Sequence, residues 1–282
     1  MFARHTLHFA HPSSSPSHLS KFIVMDFHSP FYCVLIDLDD TLYPSTAGIS
    51  LACKRNIEEF LAMKCGVSAD RAYSLRVELF HTYGSSLSGL IALGYDVHPD
   101  EYHSYVHGRL PYERIAPDPQ LNKLLKTIPQ PKILFTNSDR MHMKKVLERL
   151  GIKEECFHGI ICFETLNPNL YEEKGTKDAV SSTEVILKPS LAAMETAVRS
   201  AGFDPHQILF LDDSERNIAA AKAMGLVTAL VGKKGKIKET DYLIDSIHSL
   251  RQAIPEVWGV MKTEKGVRSD LDSIRTPNPI EA

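Results

Sequence analysis

The sequence predicts an α/β protein built on a doubly wound parallel sheet, with an all-helical block inserted after the first strand. Two observations carry this. Short apolar, β-branched runs bounded by turn residues alternate with amphipathic helical patterns, the rhythm of a parallel sheet covered on both faces. That rhythm stops between about Tyr43 and Ile115, where helical patterns follow one another with no clear strand.

Residues 32–38 form an apolar run of the kind expected for a strand buried on both faces. Similar runs predict strands over 132–136, 160–163, 208–211 and 227–231. Asp139 opens a helical segment with Met143, Val146, Leu147 and Leu150 on one stripe, closed by Gly151. Ser190 opens another with Leu191, Met194, Val198 and Ala201 inward and Gly202 at its end, and Ser214 a third with Ile218, Ala221 and Met224, ending at Gly225. In the inserted block, helical patterns centre on 53–63, 71–81 and 100–106. A block in this place is expected to cap the carboxyl edge of the first strand, where open parallel sheets bind ligands. The predicted organisation is a leader over 1–27, a core over 28–42 and 115–257, a cap over 43–114 and a flexible tail over 258–282. A polar, irregular insertion over 167–183 is expected to be a mobile loop.

Composition narrows the function classes. In 282 residues, 32 Lys and Arg face 35 Asp and Glu for a net charge of -3, which argues against a nucleic-acid polymer as partner. Five scattered cysteines with no CxxC pair fit a reducing compartment, with neither a disulfide framework nor a cysteine zinc site. No apolar run approaches the roughly 18 residues that span a bilayer, so no membrane partner is expected. Residues 1–25 lack Asp and Glu and are dense in Ser, His and Pro. They read either as a plastid or mitochondrial transit peptide or as a disordered extension ahead of Met25; the second reading, preferred because Arg4 and Lys21 are the only Lys or Arg there, makes the protein cytoplasmic.

The first strand delivers Asp37 and Asp39 to its end, two residues apart and therefore on one face. Two acids on one edge repel unless a cation or a shared proton resolves them. The pair reads as a magnesium site with a nucleophile and an acid, or as a strand end running into a polar turn with Asp39 or Asp40 as a cap. Three more clusters fall in similar positions. Thr136, Asn137 and Ser138 precede a helix start, where free N–H groups hold phosphate oxygens or Ser138 simply caps the helix, the reading preferred for Ser138. Lys188 stands between an apolar run and a helix start, either neutralising a phosphate or lying on the surface. Asp212 and Asp213 close a buried strand, a second repulsion that a metal relieves. Together the clusters supply what phosphoryl transfer requires.

In that order, Asp37-x-Asp39-x-Thr41, Thr136, Lys188 and Asp212-Asp213 resemble the motifs of the haloacid dehalogenase-like hydrolase superfamily, over residues 32–41 and about 117–255. The resemblance implies a Rossmann-like core and an enzyme acting on a small phosphate ester. It implies that Asp37 is a nucleophile forming an aspartyl-phosphate, and that Asp39 is the acid for the leaving alkoxide and later the base for water. It implies Mg2+ held by the Asp37 carboxylate, the Asp39 backbone carbonyl and Asp212, with Asp213 adjacent or acting through water. Thr136, the Asn137 backbone and Lys188 would bind phosphate, with Asn217 holding Lys188. Dehalogenases proper lack a carboxylate at the position of Asp39, so Asp39 points to a phosphatase. These roles require Asp37 to stay ionised and Asp39 to have a raised pKa.

Residues 81–90 and 105–112 resemble the pyrimidine 5′-nucleotidase branch, including plant nucleoside monophosphate phosphatases. That implies a nucleoside 5′-monophosphate substrate of the xanthosine or pyrimidine class. Tyr43, Tyr83 and Tyr112 are candidates to stack on the base, and His107 or Arg109 to read its polar edge; otherwise the aromatics pack the cap and Arg109 ties cap to core. The rivals are a phosphatase of another metabolite, such as flavin mononucleotide or a sugar phosphate, and a non-enzymatic phospho-accepting signalling domain.

Overall fold

Cys33 and Leu35 face one apolar layer and Val34 and Ile36 the other, so the first strand is buried on both sides. In the computed structural model, which describes residues 27–171, 184–235 and 238–261, this strand (β1, Cys33–Ile36) belongs to a sheet of six parallel strands. The others are β2 (Lys132–Phe135), β3 (Gly159–Ile161), β4 (Ile208–Asp212), β5 (Val227–Val231) and β6 (Tyr242–Ile244). Their spatial order is β3-β2-β1-β4-β5-β6, with Leu35 level with Ile133 on one side and Phe210 on the other. The chain winds outward through β2 and β3, then returns to the far side of β1 and winds the opposite way. The reversal between β1 and β4 is the switch point where such sheets leave a crevice at their carboxyl edge.

Helices cover both faces, as the sequence predicts. Val34 and Ile36 pack with Leu121 and Leu125 of one helix (Pro119–Thr127) and Met143, Val146 and Leu147 of another (Arg140–Leu150). Cys33 and Leu35 pack with Ala193, Met194 and Ala197 (helix Leu191–Ala201) and Ile218 and Ala221 (helix Glu215–Ala223). Strand β6 has no counterpart in the sequence reading, because three residues flanked by Asp241 and Asp245 make too short an apolar run to register. The run expected over 160–163 ends sooner, as Phe163 opens a short helix, Phe163–Leu166.

The block after β1 contains four helices, Ile49–Cys65, Ala69–Tyr83, Ser86–Ala92 and Pro99–Val106. Ser68 and Ser85 cap the second and third through their side chains, and Gly66 and Gly84 end the first and second in the left-handed region. The third helix is short and Ser-rich, which hid it from periodicity. Gly89 lets it lie close on the second, since a Cβ there would stand 2.5 Å from Leu79 Cδ2. Phe60, Leu61, Leu79, Leu90 and Val106 form the block's own apolar cluster, into which Phe163 also inserts.

Of the insertion read as a loop, residues 172–183 lie outside the described residues, but its start is fixed. Asn167 is fully buried; its Nδ2 donates to Phe163 O (2.9 Å) and Ile186 O (2.9 Å), and its Oδ1 accepts from Ile186 N (2.6 Å). Asn167→Ala strands that backbone pair and is expected to cost about 1–3 kcal/mol, read as a lower urea midpoint at unchanged slope. Apart from Phe27 and residues 258–261, the leader and tail lie outside the described residues. Trp258, expected to begin the tail, is instead anchored: its Nε1 donates to Thr127 O at 2.7 Å. Among the described residues, no helix is long and apolar enough to cross a membrane.

Candidate active site

Asp37 follows β1 directly and Asp212 ends β4, so the switch point brings two carboxylates side by side. Between them stands Lys188, whose Nζ donates to Asp37 Oδ1 (2.6 Å), Asp212 Oδ2 (2.7 Å) and Phe135 O (2.7 Å). All three side chains are buried, Lys188 with 1% of its side chain exposed. Lys188 is not at a strand end, as the sequence reading assumed; it leaves an irregular segment just before the Leu191–Ala201 helix. The Asn137 amide holds it there, donating to Lys188 O (2.9 Å) and accepting from Lys188 N (2.8 Å). Thr41 Oγ1 donates to Asp37 Oδ2 at 3.0 Å. Asn217 donates to both Asp212 oxygens (3.0 and 3.1 Å), so it acts on Lys188 only through Asp212 and not directly as expected. Thr136 is buried, and its Oγ1 accepts from Ser138 N (3.0 Å).

Asp39 lies past the strand in a turn where Asp40 takes φ 58, and its carboxylate collects three donors. They are Tyr43 OH (2.6 Å) and His142 Nε2 (2.7 Å) on Oδ1, and Ser138 Oγ (2.7 Å) on Oδ2. The helix behind them is capped by Asp139 alone, whose Oδ1 accepts from Met141 N and His142 N, both at 3.0 Å. Ser138, read as a cap, is thus freed to face Asp39. His142 was missed by the sequence reading; its only signal was a place in the first turn after the Asp139 cap.

Burial pushes the Asp39 carboxyl up, but the His142 charge and the bonds from His142, Tyr43 and Ser138 outweigh it and hold the group well below the usual range. The raised pKa expected for Asp39 is therefore not found in this arrangement, because its partners favour the carboxylate. His142 is raised despite burial, chiefly by Asp39. Tyr112 OH donates to His107 O (3.0 Å) and can accept from His142 Nδ1 (2.9 Å), so an imidazolium at His142 has an acceptor for each N–H. Asp37 behaves in the opposite way. Burial raises it well above its ordinary value, Lys188 pulls it down, and Asp212 and Asp39 push it further up. Asp213 accepts from Lys233 Nζ (3.0 Å) and is also raised by burial.

Carboxylate oxygens of Asp37, Asp212 and Asp213 lie within 4.8 Å of one another. An all-oxygen set of this kind, with two of its acids pushed upward, suits a hard divalent cation such as Mg2+. The sequence pattern of the haloacid dehalogenase-like hydrolases matches residues 32–225, spanning the helical block and every residue of this cluster. The chain belongs to that family. It is 29% identical to phosphate metabolism protein 8 of Saccharomyces cerevisiae over 199 residues, 67% of this chain and 58% of that protein, so the match spans under two thirds of the relative. Its fold is similar to that of CbbY from Rhodobacter sphaeroides, solved in complex with phosphate, at a TM-score of 0.50 and 20% identity over 78% of this chain and 96% of that one.

In this hydrolase the remaining predicted residues lie in or beside the helical block. Tyr43, His107 and Tyr112 come to the site, Tyr43 through Asp39, Tyr112 through His142, and His107 through a hydrogen bond from its Nδ1 to Asp139 Oδ2. Gly108 permits the tight turn after His107, since a Cβ there would meet Ser104 O at 2.1 Å. Two residues are not brought in. Arg109 donates to Glu59 (2.8 Å) on the exposed face of the block and lies over Tyr105, so these contacts stay within the block and do not tie it to the core. Tyr83 is 38% exposed at the end of its helix, against Gly89.

Proposed function

We propose that this hydrolase is a magnesium-dependent phosphomonoesterase that acts on a nucleoside 5′-monophosphate of the xanthosine or pyrimidine class. The observation that carries the reading is the buried Asp37–Lys188–Asp212 cluster at the sheet's switch point, with Asp39 beside it. An Asp37 oxygen attacks phosphorus, the ester P–O bond breaks, and the departing alkoxide takes the proton held by His142, relayed through Asp39. Water then attacks the aspartyl-phosphate, Asp39 accepts its proton, and inorganic phosphate leaves with Asp37 restored. Lys188, Thr136 and the Asn137 backbone bind the non-bridging oxygens. Asp37, Asp212 and the Asp39 backbone carbonyl would hold Mg2+, with Asp213 adjacent or acting through water, and the ion would neutralise phosphoryl charge. Residues 43–114 act as the cap over a core of 28–42 and 115–257, with Tyr43, His107 and Tyr112 facing the substrate's organic part.

Phosphate release from a panel of phosphorylated metabolites tests the substrate class, and the highest kcat/KM should fall on a nucleoside monophosphate. Preference for flavin mononucleotide or a sugar phosphate would replace that class. A long-lived aspartyl-phosphate without turnover would make the chain a phospho-accepting domain. Asp39→Asn is expected to lower kcat by about 10²–10⁴-fold with Mg2+ affinity kept. Unchanged turnover would leave Asp39 as a turn residue.

A further inference from the structure

Beyond the acidic site, a second cluster of metal-ligating side chains lies where the helical block meets the sheet edge. His103, in the Pro99–Val106 helix, and His107, at its end, are four residues apart and so share a face. Their rings stack with centroids 5.4 Å apart. Asp139, from the cap of the Arg140–Leu150 helix, meets them from the core. One ring nitrogen from each histidine and one Asp139 oxygen lie within 4.8 Å of one another. His103 is 7% exposed, and its Nδ1 is buried with no hydrogen-bond partner among the described residues. A buried nitrogen without a partner calls for an occupant.

We propose that His103, His107 and Asp139 form a binding site for a divalent transition metal of the imidazole-preferring class, with Zn2+ the best fit. Two imidazoles and one carboxylate are a recurrent donor set for such ions, softer than the all-oxygen set that suits Mg2+. Burial holds His103 down to about 3 and His107 below its ordinary value, so both present the neutral, ligating form. Asp139 Oδ1 is fixed by Met141 N and His142 N, which aims the other oxygen at the histidines. Ligand atoms of a tetrahedral zinc stand roughly 3.3 Å apart, inside the 4.8 Å that encloses these three. The ion takes the place of the hydrogen bond between His107 Nδ1 and Asp139 Oδ2, with the His107 proton moving to Nε2. Two ligands come from the helical block and one from the core, so a bound ion ties the two together. The His107 ring lies 4.7 Å from that of His142, the partner of Asp39, so the tie sits next to the acidic site. Binding of Zn2+ does not depend on the substrate proposed above.

The test uses the full chain, freed of metal by chelator dialysis and then saturated with Mg2+. Titration with Zn2+ is expected to show one ion per chain, bound without displacing Mg2+. His103→Asn and His107→Gln should each weaken that binding by more than about 100-fold while circular dichroism stays native. Zinc affinity unchanged from wild type in both variants, or loss of the zinc in proportion to added Mg2+, would overturn the site. X-ray absorption on the zinc-loaded wild type reads the ligands without any variant. Two imidazole nitrogens support the proposal, and a shell of sulfur or of oxygen alone ends it.

Discussion

Asp37→Asn is expected to lower phosphate-ester hydrolysis by on the order of 10⁴–10⁶-fold while leaving the protein as stable as the wild type or more so. The first half follows from chemistry, since a carboxamide is a poor nucleophile and forms no acyl phosphate. The second follows from electrostatics. Burial raises the Asp37 carboxyl, so the folded protein binds that proton more tightly than the unfolded chain. Stability from this group is fullest in acid and is lost as pH rises through the raised value. Near neutrality, without a bound cation, the ionised group opposes folding. The carboxamide in the variant would keep an oxygen for Lys188 Nζ and shed the charge that Asp212 repels. Metal-free wild type should therefore lose Tm more steeply with rising pH than the variant does. Near-normal turnover in Asp37→Asn would move the nucleophile elsewhere, and loss of fold together with activity would give Asp37 a structural role.

The sheet was legible because burial on both faces leaves a mark that needs no partner: an apolar run such as 32–36, interrupted abruptly by charge. Asp37, Lys188 and Asp212 stood out for that reason, each a charge adjoining an apolar run. What meets them is set by contacts across the chain, which periodicity does not encode. His142 lies 103 residues from Asp39, Ser138 lies 99 from it, and the Asn137 amide lies 51 from the backbone it clasps. A hydroxyl and an amide ahead of a helix look like caps, and only the folded chain shows that Asp139 takes that task and frees Ser138. Arg109 is placed differently. Glu59 lies 50 residues away on the same helical block, close enough to hold the guanidinium on the outer face. The Asp39 pKa was misjudged because it was inferred from the acid role and the neighbouring Asp37 charge, without the three donors that surround it.

Lys188→Met should be the most destabilising single change in the site, costing about 3–5 kcal/mol in the metal-free protein. Methionine matches the length of the lysine stem, and the apolar surroundings accept it, since Nζ already lies 4.9 Å from the Phe135 ring centroid and 5.7 Å from that of Phe210. The loss comes from what remains: Asp37 and Asp212 buried side by side with their shared cation gone, and Phe135 O without its donor. Two further measurements separate this account from simple loss of packing. Mg2+ should restore much of the lost stability in urea unfolding, because a dication at Asp37, Asp212 and Asp213 screens the same repulsion. Adding Asp212→Asn to Lys188→Met should also relieve part of the cost, giving a double-mutant coupling well above the few tenths of a kcal/mol found for independent sites. Lys188→Arg should not substitute, because a planar guanidinium cannot aim three donors from one point at Asp37, Asp212 and Phe135 O. A loss within about 0.5 kcal/mol, insensitive to Mg2+, would mean that Lys188 behaves as a surface residue and that the two carboxylates are neutralised by protons.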